Sequence, residues 1–404
     1  MKTNNLQKRF YAFVEDMDNV QKERDADIYS KLIDVNLQGT YDTSSEYKQK
    51  NIITGSSGSG SGSGSGCKSN VEVTKVTIRE EINSINDLIG LCEKFPLSSD
   101  VEYNIDMKMI HDIHSPLKKL NQFVGMKELK ENIVDQILYY IQNIQTNDDY
   151  MHICLYGPPG TGKTEVAKII GDIFSKIGIL KKNTFKKVVR SDLIAGYLGQ
   201  TAIKTKKVIT EAIGGVLFID EAYSLGHPNK DDSFSKECID TLCESLSDHK
   251  KDLIVIIAGY ENEMRECFFR MNSGLESRFT WKYKIDNYKH DEMYKIFESK
   301  IDLLDGWSLL LDSEKDTFKD KKTNEKMIYQ EWFKNKMKQF KAYGRDIEKL
   351  LSKIKIVHSR RVYCLDEVDK RKITKEDVEN GYSLYLKHSK EEEKEYNYAF
   401  GMFT

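Results

Sequence analysis

The sequence lacks an excess of charge of either sign, because 62 Lys and Arg residues stand against 64 Asp and Glu residues and the formal net charge is −2. A protein that coats DNA or RNA normally carries a basic excess, so this balance argues against nucleic acid as a partner. The chain also lacks any apolar run that approaches the length of a membrane span, and no apolar core follows Met1 and Lys2. We therefore expect no membrane partner and no signal peptide.

Cysteine is sparse and follows no ligand pattern. The 7 cysteines are an odd number, so they cannot all pair within the chain, and no C-x-x-C or mixed His/Cys spacing is present. Such residues are typical of buried or free thiols in a reducing compartment, and we expect a soluble, cytoplasmic protein. With 404 residues, 39% of them hydrophobic, the chain is long enough for two or three domains.

The sharpest boundary in the chain is an almost pure Gly/Ser run at residues 55–66, which predicts a flexible linker over residues 55–70. The run is either natural low complexity or an engineered joint. Residues 1–54 before it are polar and weakly periodic, and they form either a disordered segment or a small docking module. Residues 71–116 after it predict a small α/β or helical extension, with strand-like alternation at 71–81.

Beyond about residue 117, short apolar runs alternate with helical patterns. The strand-like runs are at residues 153–155, 185–189, 215–219 and 253–258. Buried runs separated by helices predict an α/β fold with a parallel sheet covered on both faces, over residues 117–287.

The pattern is helical throughout residues 288–388, which predicts a small all-helical lid subdomain followed by a tail at residues 389–404. The last of these helices is expected to begin at Thr374 with an N-terminal cap and acidic residues in its first turn.

Residues 155–164 read Leu-Tyr-Gly-Pro-Pro-Gly-Thr-Gly-Lys-Thr and fit the phosphate-binding pattern G-x-x-x-x-G-K-[ST]. The glycines let backbone N–H groups turn inward around a polyphosphate. The lysine supplies a compact charge for the β- and γ-phosphates, and the final hydroxyl can ligate Mg²⁺. The motif predicts ATP and Mg²⁺ as cofactors, held by Gly157, Pro158, Pro159, Gly160, Thr161, Gly162, Lys163 and Thr164.

A second nucleotide motif follows in residues 215–221, an apolar strand that ends in Asp220 and Glu221. Downstream of a phosphate-binding loop, this arrangement has the Walker B form. Asp220 is expected to hold Mg²⁺, and Glu221 to polarise the attacking water as a general base.

These motifs, together with Leu-Phe-Ile-Asp-Glu-Ala-Tyr at residues 217–223 and Ile-Ala-Gly-Tyr at 257–260, resemble an AAA+ ATPase. More narrowly, residues 193–202 and 272–279 resemble the CbbX/CfxQ group, which includes red-type rubisco activases and stage V sporulation protein K. The resemblance covers about residues 117–386. It implies ATP hydrolysis and a homo-oligomeric, hexameric ring that remodels client proteins.

The resemblance also implies roles for single residues. Arg278 matches an arginine finger that acts on a neighbouring subunit, and Arg345 matches the sensor 2 arginine at the start of the lid helix. Tyr197, flanked by glycines, matches the loop that faces the central pore of the ring. Residues 122–126 resemble the segment that lines the adenine pocket.

One departure from the family pattern concerns sensor 1, a polar residue that most AAA+ proteins place after the strand following Walker B. Here Tyr260 occupies that position, and Glu261 and Asn262 follow directly. Which of the three side chains positions the water is left open by the residues themselves.

Two other classes of function compete with the motor. One is a nucleotide-switched binding scaffold with little hydrolysis, which Glu221 and Arg278 argue against. The other is a nucleic-acid-directed AAA+ motor, which the balanced charge disfavours. The lysine pairs at residues 181–182 and 186–187 are interpreted as solvated turns rather than a nucleic-acid patch. The client protein cannot be derived from these residues.

Overall fold

The computed structural model describes residues 74–401, except 147, 198, 227–231, 310–320 and 367–369, and describes only the backbone of 321–328 and 391–401. The predictions for residues 1–54 and for the Gly/Ser run lie outside this part of the chain. Within it, no helix combines the length and the apolar character needed to cross a bilayer.

A small α/β unit comes first, within the predicted extension. It contains β1 (Thr74–Val76), α1 (Ile85–Lys94), β2 (Val101–Tyr103), α2 (Met107–Asp112) and α3 (His114–Gln122). The two strands pair in parallel. Helix α1 begins at Ser84, whose hydroxyl accepts a hydrogen bond from the backbone N–H of Asp87, while the Asp87 carboxylate accepts from the Ser84 N–H. This reciprocal cap satisfies donors that would otherwise be left unpaired at the helix start.

A parallel sheet of five strands, in the order β4-β5-β6-β3-β7, lies between the helices of residues 127–278. Its strands are β3 (Ile153–Tyr156), β4 (Phe185–Val188), β5 (Val216–Ile219), β6 (Ile254–Gly259) and β7 (Trp281–Lys284). Strands β3, β5 and β6 are buried along their whole length, which is why they are apolar without alternation.

Helices cover both faces of the sheet, as the sequence predicts. They are α4 (Lys127–Ile141), α5 (Lys163–Lys176), α6 (Arg190–Leu193), α7 (Thr201–Ala212), α8 (Ser233–Asp248), α9 (Glu261–Glu263) and α10 (Ser273–Arg278). Alternate residues of β5 point into two hydrophobic cores, one on each face of the sheet. Val216 and Phe218 pack in the core that contains α5, whereas Leu217 and Ile219 pack in the core that contains α7 and α8.

The C-terminal helices are α11 (His290–Asp302), α12 (Lys321–Lys336), α13 (Tyr343–Val362) and α14 (Lys375–Gly401), with two-residue strands β8 (Ser308–Leu309) and β9 (Lys372–Ile373) between them. Aromatic rings fill the space between the helices, including contacts among Phe333, Phe340 and Tyr382. The predicted cap at Thr374 is confirmed, because its hydroxyl accepts from the N–H of Asp377 at 3.3 Å.

Three details differ from the sequence prediction. The sequence pattern predicts a helix over residues 126–145, but α4 ends at Ile141, and Asn143 then adopts a left-handed conformation (φ 52°) that an α-helix cannot contain. Strand β7 was not predicted. The lysine pair at residues 186–187 lies inside β4 rather than in a turn. The domain boundaries at residues 117–287 and 288–388 stay predictions.

Candidate active site

The phosphate-binding loop connects β3 to α5, so it lies at the carboxyl end of the sheet and leads into the N-terminus of a helix. Gly160 (φ 71°) and Gly162 (φ 92°) are both left-handed. A Cβ atom on Gly160 would also lie 1.8 Å from the carbonyl oxygen of Ala342, just before α13. Glycine is therefore required at position 160 by backbone conformation and by the close approach of the lid.

Lys163 is buried, with 8% of its surface exposed. Its ammonium donates hydrogen bonds to the carbonyl oxygens of Gly157 and Pro158, each at 2.8 Å. Burial lowers the pKa of Lys163, and the charges of Glu221 and Asp220 act in the opposite direction. The lysine is thus held over the loop by carbonyls and faces the two predicted Walker B carboxylates.

The Walker B carboxylates follow β5 at the same edge of the sheet. Glu221 has a left-handed backbone (φ 53°), and its Oε2 is buried without a hydrogen-bond partner in the described part of the chain. A buried carboxylate oxygen without a partner is unfavourable unless a ligand or water satisfies it. This oxygen is an acceptor that an attacking water would satisfy.

The residues present fit a magnesium ion. The Thr164 hydroxyl and the Asp220 carboxylate both line the cleft above the loop and offer the hard oxygen ligands that Mg²⁺ prefers. No group of three or more His, Cys, Asp or Glu side chains forms a cation site among the described residues.

The three candidates for sensor 1 differ in their contacts. The Tyr260 ring lies 5.9 Å from the Lys163 ammonium, and the pKa of Tyr260 is raised by burial and by the charge of Glu221. The carboxylate of Glu261 is bound elsewhere, by Arg265 at 2.8 Å, and Asn262 is exposed. Of the three, only Tyr260 has its side chain at the site.

A cleft of about 870 Å³ extends from the loop between the sheet and the C-terminal helices. Phe123 and Val124, from the segment expected to line the adenine pocket, form part of its wall. The other apolar lining residues, which the sequence analysis missed, are Ile169, Tyr288, Ile296 and Leu303. Helix α11 contains Ile296 and lies between Tyr288 and Leu303, whereas Ile169 belongs to α5, and no local motif marks any of them.

Arg345 lies in the same cleft, at the start of α13. The N–H of Gly344 donates to the carbonyl oxygen of Gly160 at 3.0 Å, so the first turn of this helix is attached to the phosphate-binding loop. The Arg345 charge is close enough to Lys163 to contribute to the lowering of its pKa. Helix α13 therefore presents its arginine to the phosphate end of the cleft.

Two predicted site residues lie away from this cleft. Arg278, at the end of α10, donates to the Ser247 hydroxyl at 2.8 Å and to the carbonyl oxygen of Gly274 at 2.6 Å. Tyr197 lies between α6 and α7 and is 75% exposed. The fold thus brings Lys163, Thr164, Asp220, Glu221 and Arg345 together, and leaves Arg278 and Tyr197 outside.

Comparison with known proteins bears on this geometry. Residues 153–286 match the model of the ATPase family associated with various cellular activities (AAA). A putative cfxQ-like protein of Acanthamoeba polyphaga mimivirus is 34% identical over 311 residues, which are 76% of this chain and 73% of that protein. The chain belongs to the CfxQ-like AAA+ ATPases. As a member of this family, the present chain binds nucleotide and hydrolyses ATP.

Other relatives agree. A CfxQ homolog of Pyropia yezoensis is 31% identical over 309 residues, which are 74% of the present chain and 93% of the Pyropia protein. Stage V sporulation protein K of Bacillus subtilis is 35% identical over 215 residues, covering 50% and 66% respectively. The resemblance to the CbbX/CfxQ group and the α/β fold with a helical C-terminal region are thus confirmed.

Proposed function

We propose that this CfxQ-like ATPase works as a hexameric ring that remodels client proteins. The proposal rests mainly on Arg278, which carries a charge suited to a phosphoryl-transfer transition state and yet lies outside the cleft of its own chain. An arginine in that place can complete an active site only if a second copy of the chain supplies the cleft. The proposal includes a nucleotide-binding domain at residues 117–287 and a lid at 288–388.

The chemistry assigned to each residue follows from its place in the cleft. Lys163 and the N–H groups of the loop bind the phosphates, while Thr164 and Asp220 hold Mg²⁺, which would neutralise charge on the β- and γ-phosphates. Glu221 accepts the proton of the attacking water, and its unpartnered Oε2 is the atom available for it.

Three further residues complete the proposed machinery. Tyr260 positions the water beside Glu221. Arg278 of the neighbouring subunit stabilises the transition-state charge, worth about 10³-fold or more in rate. Arg345 reports nucleotide state to the lid, because it lies at the start of α13 and lines the cleft beside the phosphate-binding loop.

The test is ATP turnover per subunit over a wide range of protein concentration, with Glu221→Gln as the blank. A site shared between subunits requires turnover that rises steeply with concentration, in step with assembly measured by sedimentation in ATP. Turnover that does not change over the range in which the chain dissociates would contradict a shared site. A signal equal to that of the blank would favour a nucleotide-switched scaffold.

Tyr197 is assigned to grip the client. A Cβ atom added to Gly196 or Gly199 would meet no other atom within 4 Å, so the backbone at these two positions is not packed against other described residues. With β-casein as a disordered probe, Tyr197→Ala is expected to keep basal turnover but lose stimulation by the probe. Tyr363, which is 83% exposed on the lid, provides the matched control as Tyr363→Ala. Equal stimulation of the Tyr197 variant and the wild type would contradict the assignment.

A further inference from the structure

The ammonium group of Lys187, on strand β4 next to β5, contacts Asp220, the predicted magnesium ligand. Strands β4 and β5 pair in parallel, with Lys187 opposite Phe218. Paired residues of adjacent parallel strands point to the same face, and so does Asp220, two positions beyond Phe218. The Lys187 ammonium accordingly lies 5.8 Å from the centre of the Phe218 ring and 2.6 Å from Oδ2 of Asp220.

The register of the sheet, rather than side-chain flexibility alone, produces this contact. Phe185 stacks on Phe218 with ring centres 5.6 Å apart, which keeps β4 in place against β5 on this face. The adjacent Lys186 points to the opposite face and pairs with Glu211 on α7. Of the two neighbouring lysines, therefore, only Lys187 can reach the Walker B carboxylate.

The ion pair is placed where it can exchange. The Asp220 side chain is 21% exposed and that of Lys187 is 46% exposed, so the lysine stem can swing into solvent when another cation binds. In such a partly exposed site, an ion pair contributes little to stability. Its effect on a divalent cation is larger, because a neighbouring positive charge both occupies one carboxylate oxygen and repels the ion.

We propose that Lys187 is an internal counter-ion that competes with Mg²⁺ for Asp220 and so sets the magnesium concentration at which the site loads. This inference rests on the proposed role of Asp220 as a magnesium ligand. The lysine keeps the carboxylate neutralised before nucleotide binds and must leave when the ion binds. A unit charge about 5 Å from a divalent ion, in a largely solvated site that is screened by salt, weakens its binding by about three- to tenfold.

The test uses a binding measurement, so that hydrolysis plays no part. In the Glu221→Gln background, ATP binding is followed by calorimetry while Mg²⁺ is varied, and the half-saturating Mg²⁺ concentration is determined. Lys187→Met is expected to lower that concentration by about three- to tenfold. Lys187→Arg, which keeps the charge, should stay near the parent value, and so should Lys186→Met, the matched control on the other face.

The Asp220→Asn variant shows which assignment is wrong if the test fails: the counter-ion role of Lys187 or the role of Asp220 as a magnesium ligand. If Asp220→Asn leaves the magnesium requirement unchanged, Asp220 is not the ligand and both assignments fall. If Asp220→Asn raises the requirement while Lys187→Met leaves it unchanged or raises it, only the counter-ion role is overturned. Lys187→Gln replaces Lys187→Met if the methionine variant does not fold.

Discussion

Tyr260 illustrates how a single side chain can be ambiguous in the sequence and distinct in the structure. It directly follows β6, and its ring centre lies 5.9 Å from the Lys163 ammonium and 5.8 Å from the centre of the Tyr223 ring. Glu261, one residue later, is turned toward Arg265 and Lys284. We infer that the hydroxyl of Tyr260 takes the part that an asparagine plays in most AAA+ proteins.

The Tyr260→Phe variant tests this assignment because it removes the hydroxyl and keeps the ring. Loss of one hydrogen bond to the attacking water should lower kcat by about tenfold to a hundredfold while changing the Kd for ATP by less than about twofold. Steady-state turnover and equilibrium binding check the two parts. Asn262→Ala is the control, and a loss of turnover in that variant but not in Tyr260→Phe would place sensor 1 at residue 262.

His152 gives a prediction about stability rather than activity. It is completely buried just before β3, where Nδ1 accepts from the N–H of Val255 and Nε2 donates to the carbonyl oxygen of Leu246. This pairing requires the neutral ring, and burial lowers the pKa of His152 to about 4, compared with an ordinary value of 6.5.

Because the unfolded chain takes up the His152 proton near pH 6.5 and the folded chain only near pH 4, stability falls as pH drops between these values. The total loss is about 3 kcal/mol from this residue. Urea unfolding of the wild type and of His152→Asn at several pH values measures it. The stability advantage of the wild type should shrink from pH 6.5 to pH 4, and parallel curves would contradict the prediction.

At the scale of elements, the first turn of α13 contacts the phosphate-binding loop. A Cβ atom on Gly344 would lie 2.8 Å from the carbonyl oxygen of Gly160, which accepts a hydrogen bond from Gly344 itself. Gly344→Ala should therefore displace α13 and weaken ATP binding by about three- to tenfold, equivalent to loss of one hydrogen bond. Calorimetric titration of ATP measures this change.

Gly90→Ala is the matched control for Gly344→Ala. Gly90 is also in a helix, and an added Cβ there meets no atom within 4 Å. Its Kd for ATP should equal that of the wild type. If both variants bind ATP equally well, the first turn of α13 does not depend on its contact with the loop.

The elements that the sequence predicts well are those whose signal is local. Strands β5 and β6 are continuous apolar runs, and α14 begins with a recognisable cap. Strand β7 was missed although its four residues, Trp-Lys-Tyr-Lys, alternate between aromatic and charged side chains, because so short an alternation is a weak signal compared with the continuous apolar runs of the central strands. It is a strand because it pairs with β3 at the edge of the sheet, a contact between residues far apart in the chain.

The residues of the candidate site can also be separated into those that a local motif predicts and those that it does not. The phosphate-binding loop and the Walker B carboxylates lie in short motifs whose chemistry can be deduced from residue type and spacing. Tyr288 lines the nucleotide cleft and donates to the carbonyl oxygen of Thr161 at 3.1 Å, and Lys187 contacts Asp220, but neither belongs to a motif. Their roles depend on how the chain folds, so the sequence pattern did not predict them.

For the whole molecule, the decisive question is whether neighbouring chains share active sites. Arg278→Ala is expected to lower turnover by about 10³-fold, and its subunits should also inhibit wild-type subunits in mixed rings. Total activity then falls below the average of the two proteins as the variant fraction rises. Arg270→Ala, which removes an exposed arginine from the short turn before α10, is the control. Activity that follows the simple average would show that each chain works alone.

The attachment of α13 to the phosphate-binding loop also makes this helix a lever. Its 20 residues give it a length of about 30 Å, with one end attached to Gly160 and the other at Val362. A rotation of about 10° at the loop would move the far end by about 5 Å, roughly one helical turn. In the ring proposed above, a small rotation of this helix at the phosphate-binding loop would thus become a displacement of its far end large enough to shift an adjoining subunit.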